Sequence, residues 1–326
     1  MDPGVQDHGV PATVSVHALS AGSLTLPERF FVHPADPEAR KTVPSLSFLI
    51  QHMNPSTSKI TRIVFDLGIR RQISAYSPEI QAHAQTRQPL TTAPDVISSL
   101  AKGGLKESDI DYVLISHVHW DHLGMPSDFK TSKFGVGAGA LDLLSGRTKL
   151  TNGSHSYFEA GILPPSRTFE LPDPLQNDSE STPSYPRPEM FCEAWKPFHA
   201  FPDTMDIFSD GSCYVVSAPG HLPGHINMLC RISSHPLEYV LLAGDACHDI
   251  RILTGERDIA TWSDERLPHV TCCIHASVQE AEKTIETMRK VRRDGIDGGE
   301  VEIVFAHDVD WAAKSLKEGR FWPGHL

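Results

Sequence analysis

Apolar and alternating runs at residues 13–19, 45–50, 61–66, 212–218, 227–231 and 302–308 predict strands. The apolar run at 112–115 predicts a buried strand, and 238–245 predicts another, a strongly apolar run closed by Asp245. Asn54-Pro55-Ser56-Thr57 supplies the turn of a hairpin, and residues 22–34 predict a loop carrying Leu24, Leu26, Phe30 and Phe31. Residues 94–100 predict a short helix stopped by Gly103-Gly104. Val278, Ala281, Ile285 and Met288 follow helical spacing, and Ser277 with Glu280 forms a capping box at the start of a helix over 277–293. Residues 74–91 are polar and irregular, in keeping with a rim over a site.

Between 140 and 205 the composition shifts. Leu163-Pro164-Pro165, Leu171-Pro172-Asp173-Pro174 and Tyr185-Pro186-Arg187-Pro188 interrupt regular structure. This stretch predicts an insertion on one sandwich, with an exposed loop tip at 177–182 and Trp195, Phe198 and Phe201 available for a pocket wall. The expected organisation is a flexible tail at 1–11 and a single domain over 12–326.

The chain has 326 residues, 40% of them hydrophobic, enough for a large core. Its 41 acids against 29 bases, net −12, argue against a nucleic-acid partner, which needs a basic stripe. The longest basic run, Arg289-Lys290-Val291-Arg292-Arg293, falls at a helix end, where cations suit the macrodipole. No apolar run reaches the ~18 residues of a membrane span, and the polar start of the chain lacks a signal-peptide core. The six cysteines match no zinc or disulfide spacing, which predicts free thiols and a cytoplasmic protein. No pattern specifies an oligomer.

The chemistry concentrates in Ser116-His117-Val118-His119-Trp120-Asp121-His122, three imidazoles and one carboxylate directly after a buried strand. These are zinc's ligands of choice outside cysteine sites, and their density suits two metals better than one. Three more strands end on comparable residues: 212–218 leads to Pro219-Gly220-His221-Leu222-Pro223-Gly224-His225, 238–245 ends on Asp245, and 302–308 on His307. A buried carboxylate such as Asp245 is costly unless paired or bound to a cation. Asp66-Leu67-Gly68 closes an earlier strand.

The H-x-H-x-D-H stretch, the D-x-G turn and the near-match of Gly220–His225 to G-H-T-P-G-H, with Leu222 in place of threonine, resemble the metallo-β-lactamase superfamily over residues 12 to 312. The resemblance implies an α/β fold, the αββα sandwich of two mixed sheets flanked by helices. It implies a first metal on His117, His119 and His221, a second on Asp121, His122 and His307, and Asp245 bridging them. Asp66 and His225 would support these ligands, and Gly124 would let the backbone bend close to the metals. The implied cofactor is two zinc ions, although iron, manganese or cobalt suit the same donors. The ligand set resembles glyoxalase II and the N-acyl homoserine lactone lactonases. It implies hydrolysis of a small-molecule lactone or lactam by metal-activated water, with Asp121 handling a proton. The family includes detoxifying lactamases. Where lactonases carry a tyrosine three residues after the bridging aspartate, this chain has His248, which would either donate to the substrate carbonyl or face solvent. Phe30, Phe31, Trp120, Met125 and Phe129 are candidates for the pocket mouth. A glyoxalase-like thioesterase is the second reading, with Lys314, Lys317 and Arg320 as its basic cluster, and a non-enzymatic metal scaffold the third.

Overall fold

The structure is a computed structural model describing residues 10–154, 157–176 and 186–326. The expected loop tip at 177–182 and all but the last two residues of the expected tail lie outside the described residues.

Two six-stranded sheets form the framework. The first runs in chain order through β1 (Ser15–Pro27), β2 (Arg40–Met53), β3 (Ile60–Phe65), β4 (Tyr112–Leu114), β5 (Lys133–Val136) and β6 (Thr168–Glu170). The second holds β7 (Lys196–Phe198), β8 (Phe201–Asp206), β9 (Cys213–Ser217), β10 (Ile226–Ser234), β11 (Leu237–Leu242) and β12 (Glu300–Val304), with β12 at the edge beside β11. Both sheets are mixed: β3 to β6 are parallel, as are β11 and β12, and the remaining pairs are antiparallel.

Side-chain alternation sorts residues into layers. Leu46, Phe48 and Ile50 of β2 meet Met228 and Cys230 of β10 and Val240 and Leu242 of β11 in the core between the sheets. The intervening Leu49 and Val64 face outward, onto Val96 and Leu100 of α2 (Val96–Ala101). Leu229, Tyr239 and Leu241 face the other way, onto Ile285, Met288 and Val291 of α6 (Val278–Asp294). The result is the expected αββα sandwich.

Three expectations change. The predicted loop at 22–34 is largely strand: β1 continues past a bulge between Ser20 and Ser23 and pairs through Pro27 with Arg40. Gly22 sits at that bulge with φ +97°, so it marks an irregularity within a strand and not the strand's end. The segment 140–205 is more than decoration, because β6, β7 and most of β8 complete the edges of both sheets. In the predicted capping box, Ser277 accepts from the Glu280 amide, the half typical of an ordinary N-cap. A final helix, α7 (Val309–Lys317), was not expected.

The basic run closes α6 with local ties: Lys290 and Arg293 pair with Asp294, and Arg289 donates to the Ile252 and Leu253 carbonyls. All six cysteines are free. Among the described residues, no helix is long and apolar enough to cross a membrane.

Candidate metal centre

The chain direction of β4, β9, β11 and β12 brings four loops to one end of the sandwich. The backbone locks them together. Ile226 N donates to Ser116 O at 2.9 Å, Ala306 N to Gly244 O at 3.0 Å, and Leu46 N to Ala306 O at 2.9 Å. Gly244 has φ +47°, and a Cβ there would lie 2.9 Å from the Ser116 side chain, so only glycine fits this crossing. Gly124 is also left-handed, but what it approaches is the Leu67 carbonyl, 2.3 Å from where a Cβ would stand. Its role is thus to seat the His122 turn on the Asp66 turn, a correction to the expected close approach to metal.

Among the described residues three groups of donors result, one of them His221, His248 and His275, and all seven expected residues fall in the other two. His117 Nε2 and His221 Nε2 each lie 3.0 Å from His119 Nδ1, and Asp245 Oδ2 is 3.7 Å from both Nε2 atoms. A tetrahedral ion with bonds of ~2.0–2.1 Å has edges of about 3.3 Å, which these separations bracket. In the other group, His307 Nε2 lies 3.6 Å from Asp121 Oδ2, and Asp245 Oδ1 lies 3.4 Å from both His122 Nε2 and His307 Nε2. His122 Nε2 and Asp245 Oδ1 are buried without a hydrogen-bond partner, a costly state that a cation would relieve. The donors therefore fit a pair of divalent ions.

The surrounding hydrogen bonds fix which ring nitrogen faces inward. Asp66, itself at φ +63°, accepts from the Ser116 amide and hydroxyl at 2.7 Å and lies 2.9 Å from His122 Nδ1. His307 Nδ1 donates to Pro44 O at 2.8 Å. Ser45 Oγ holds the Asp121 carbonyl at 2.7 Å. His225 stacks beside His117 at 5.2 Å, and its Nε2 accepts from the Asp245 amide at 3.1 Å. It thus contacts Asp245 through the backbone amide.

Burial pushes the imidazoles of His117 and His221 well below the ordinary histidine range, and His225 down to about 3. These rings are neutral and available to a cation. Burial alone would lower His122 too, but Asp245 and Asp66 outweigh it and raise that ring well above its usual value. Asp245 would be raised by burial, yet His307, His122 and His248 hold it far below the carboxylate range.

His248 faces inward. Its side chain is 2% exposed, its Nε2 lies 3.2 Å from Asp245 Oδ2, and its ring packs 5.0 Å from that of Phe31. The solvent-facing alternative is excluded. Phe31 and Trp120 line a small cavity of about 20 Å³ over the donors, together with Asp121, His248 and His307. The other three mouth candidates lie elsewhere. Phe30 packs on Trp262, while Met125 and Phe129 line a separate small cavity against α2 and the Asp66 turn. Trp195 and Phe201 line a different, larger cavity of about 680 Å³ behind the Gly220–His225 turn.

Three residues near the donors escaped the sequence reading. His83, from α1 (Pro78–Gln85), and Arg87, from the turn that follows, line the small cavity over the donors. His275 is buried, with its ring 5.1 Å from those of His221 and His248. The irregular rim predicted at 74–91 was the available signal for the first two. His275 follows no motif.

The family model described as the metallo-beta-lactamase superfamily matches residues 62–132. The chain is 28% identical to "Cytochrome P450 monooxygenase mpaDE" of Penicillium roqueforti over 95% of this chain and 37% of that protein. It is 28% identical to "Gamma-lactamase FDB1" of Fusarium pseudograminearum over 63% of this chain and 45% of that protein. It thus spans less than half the length of these curated relatives. A solved N-acyl homoserine lactone hydrolase, with N-hexanoyl-L-homoserine at its catalytic metal center, superposes with a TM-score of 0.62 at 16% identity, over 97% of this chain and 100% of that one. That likeness shows the fold. The matched segment runs from β3 through the histidine turn, and the solved lactone hydrolase shares the fold around it.

Proposed function

We propose that this protein is a dinuclear metal hydrolase that opens a cyclic ester or amide. The observation that carries the reading is the position of Asp245: Oδ2 faces His117 and His221 at 3.7 Å, and Oδ1 faces His122 and His307 at 3.4 Å. On this reading His117, His119 and His221 hold one cation, Asp121, His122 and His307 hold the other, and Asp245 bridges. Zinc suits the donors best, and iron, manganese or cobalt are accepted by the same set. When bound, such a pair supplies Lewis acidity and a water acidified to near neutral pH.

The chain's own residues do the rest. Asp66 and the Pro44 carbonyl hold His122 and His307 with Nε2 inward. Asp121 lines the cavity and is the carboxylate that takes and returns a proton during ring opening. His248, steadied by Phe31, donates to the carbonyl oxygen of the ring. Leu24, Leu26 and Ile274 keep bulk water from the reacting atoms.

The relatives named for gamma-lactam and homoserine lactone chemistry favour ring substrates. The thioesterase reading loses its expected support: Lys314 pairs with Glu318, and Arg320 with Glu302 and Glu318, and neither lines the metal cavity. A metal-binding scaffold without activity would be expected to have lost ligands, and all seven are present. Turnover of a panel of lactones, lactams and thioesters, followed beside metal content, tests the proposal. Ring opening that disappears on chelation and returns with added metal is the expected result. Thioester hydrolysis alone would overturn it.

A further inference from the structure

Among the described residues three arginines are buried: Arg70, Arg87 and Arg231. Two are fully engaged. Arg70 bonds Glu159 and the Gly124 carbonyl, and Arg231 bonds Tyr239 and the Ala12 carbonyl. Arg87 differs. It is 9% exposed, yet among the described residues its guanidinium makes no hydrogen bond and no ion pair. It lines the same small cavity as Asp121, Asp245 and His307. Asp121 attracts it from beyond ion-pair distance, and Arg40 repels it.

A guanidinium remains charged at any ordinary pH, and burying it without a partner is costly. Its charge suits an anionic partner. That partner cannot be a metal, and two divalent ions facing the carboxylates of Asp121 and Asp245 would leave the cavity with surplus positive charge. No free carboxylate of the described chain comes within reach. The planar fork of arginine matches a carboxylate through two parallel bonds.

Resting on the hydrolase reading above, we propose that Arg87 is the anion-recognition residue of this site, and that the ring substrate carries a carboxylate of its own. This carboxylate is distinct from the one created by ring opening, which forms at the metal donors. The space over the donors is about 20 Å³, room for about one water, so a ring substrate displaces side chains around it.

The experiment compares γ-butyrolactone-γ-carboxylate with its carboxamide, using metal-loaded wild type, Arg87→Gln and Arg87→Lys. Binding is measured by titration calorimetry and turnover by steady-state kinetics. The wild type should prefer the carboxylate by roughly 10- to 100-fold, the value of one charge-assisted contact. Arg87→Gln should erase the preference, and Arg87→Lys should keep part of it. Melting temperature and metal content check that each variant is folded and loaded. A preference that survives Arg87→Gln overturns the proposal, as does its absence from the wild type. An equal fall on both substrates in Arg87→Gln would assign Arg87 to the carboxylate formed by ring opening, and also overturns it. If the wild type opens neither ring yet binds the carboxylate through Arg87, the anion site stands, and the substrate panel decides the hydrolase reading.

Discussion

Asp66 Oδ2 lies 2.9 Å from Nδ1 of His122, and both side chains are buried. The same oxygen accepts from the Ser116 hydroxyl, and that hydroxyl lies 3.0 Å from Nδ1 of His117. One carboxylate outside the donor groups therefore orients a ring in each. Replacing Asp66 by Asn keeps the shape and removes the charge. Metal affinity should fall by about 10- to 100-fold, the usual cost of losing a group that orients a ligand. Competition with a chromophoric chelator measures it. Wild-type affinity in Asp66→Asn would reduce the residue to a turn former.

His248 lies where a lactonase-like tyrosine was expected from the resemblance. If it donates to the carbonyl, His248→Ala should lower kcat by less than the ~10²-fold typical of a lost oxyanion donor, since metal polarises the same oxygen. Metal content should change little. His248→Tyr should raise activity on a lactone relative to the matching lactam. Paired kinetics on the two rings decide. An unchanged ratio in both variants would move specificity to other walls of the cavity.

The strand ends, the donors and their order were legible because each is a local signal: an apolar run followed by histidine or aspartate. Asp66 could be read from its D-x-G turn for the same reason. Arg87 and His275 could not, because their meaning depends on packing between segments far apart in sequence. Met125 and Phe129 misled for a related cause. They follow the histidine turn closely in sequence, but the left-handed turn at Gly124 sends the chain away, toward α2. The edge strands within 140–205 were hidden by their length: β6 and β7 have three residues each, too few to show a period.

Away from the site, His17 ties the C-terminal segment to β1. Its Nδ1 donates to Gly324 O at 2.6 Å, and burial holds its pKa below the ordinary 6.5. The unfolded chain thus takes up a proton that the folded chain resists. The stability from neutral His17 is present above pH ~6.5 and is lost as pH falls toward the lowered folded value. Thermal unfolding between pH 7.5 and 5 should show a smaller acid loss in His17→Gln than in the wild type. Equal slopes would mean that His17 protonates without cost.

Asp245 remains the centre of the account, and metal stoichiometry tests it most directly. Elemental analysis of protein purified without chelator and reconstituted with zinc should give about two ions per wild-type chain. Asp245→Asn should remain folded, lose the second ion first and be nearly inactive, because an amide cannot supply the bridging charge. A wild-type stoichiometry that stays at or below one, or full activity in Asp245→Asn at saturating metal, would contradict the dinuclear site.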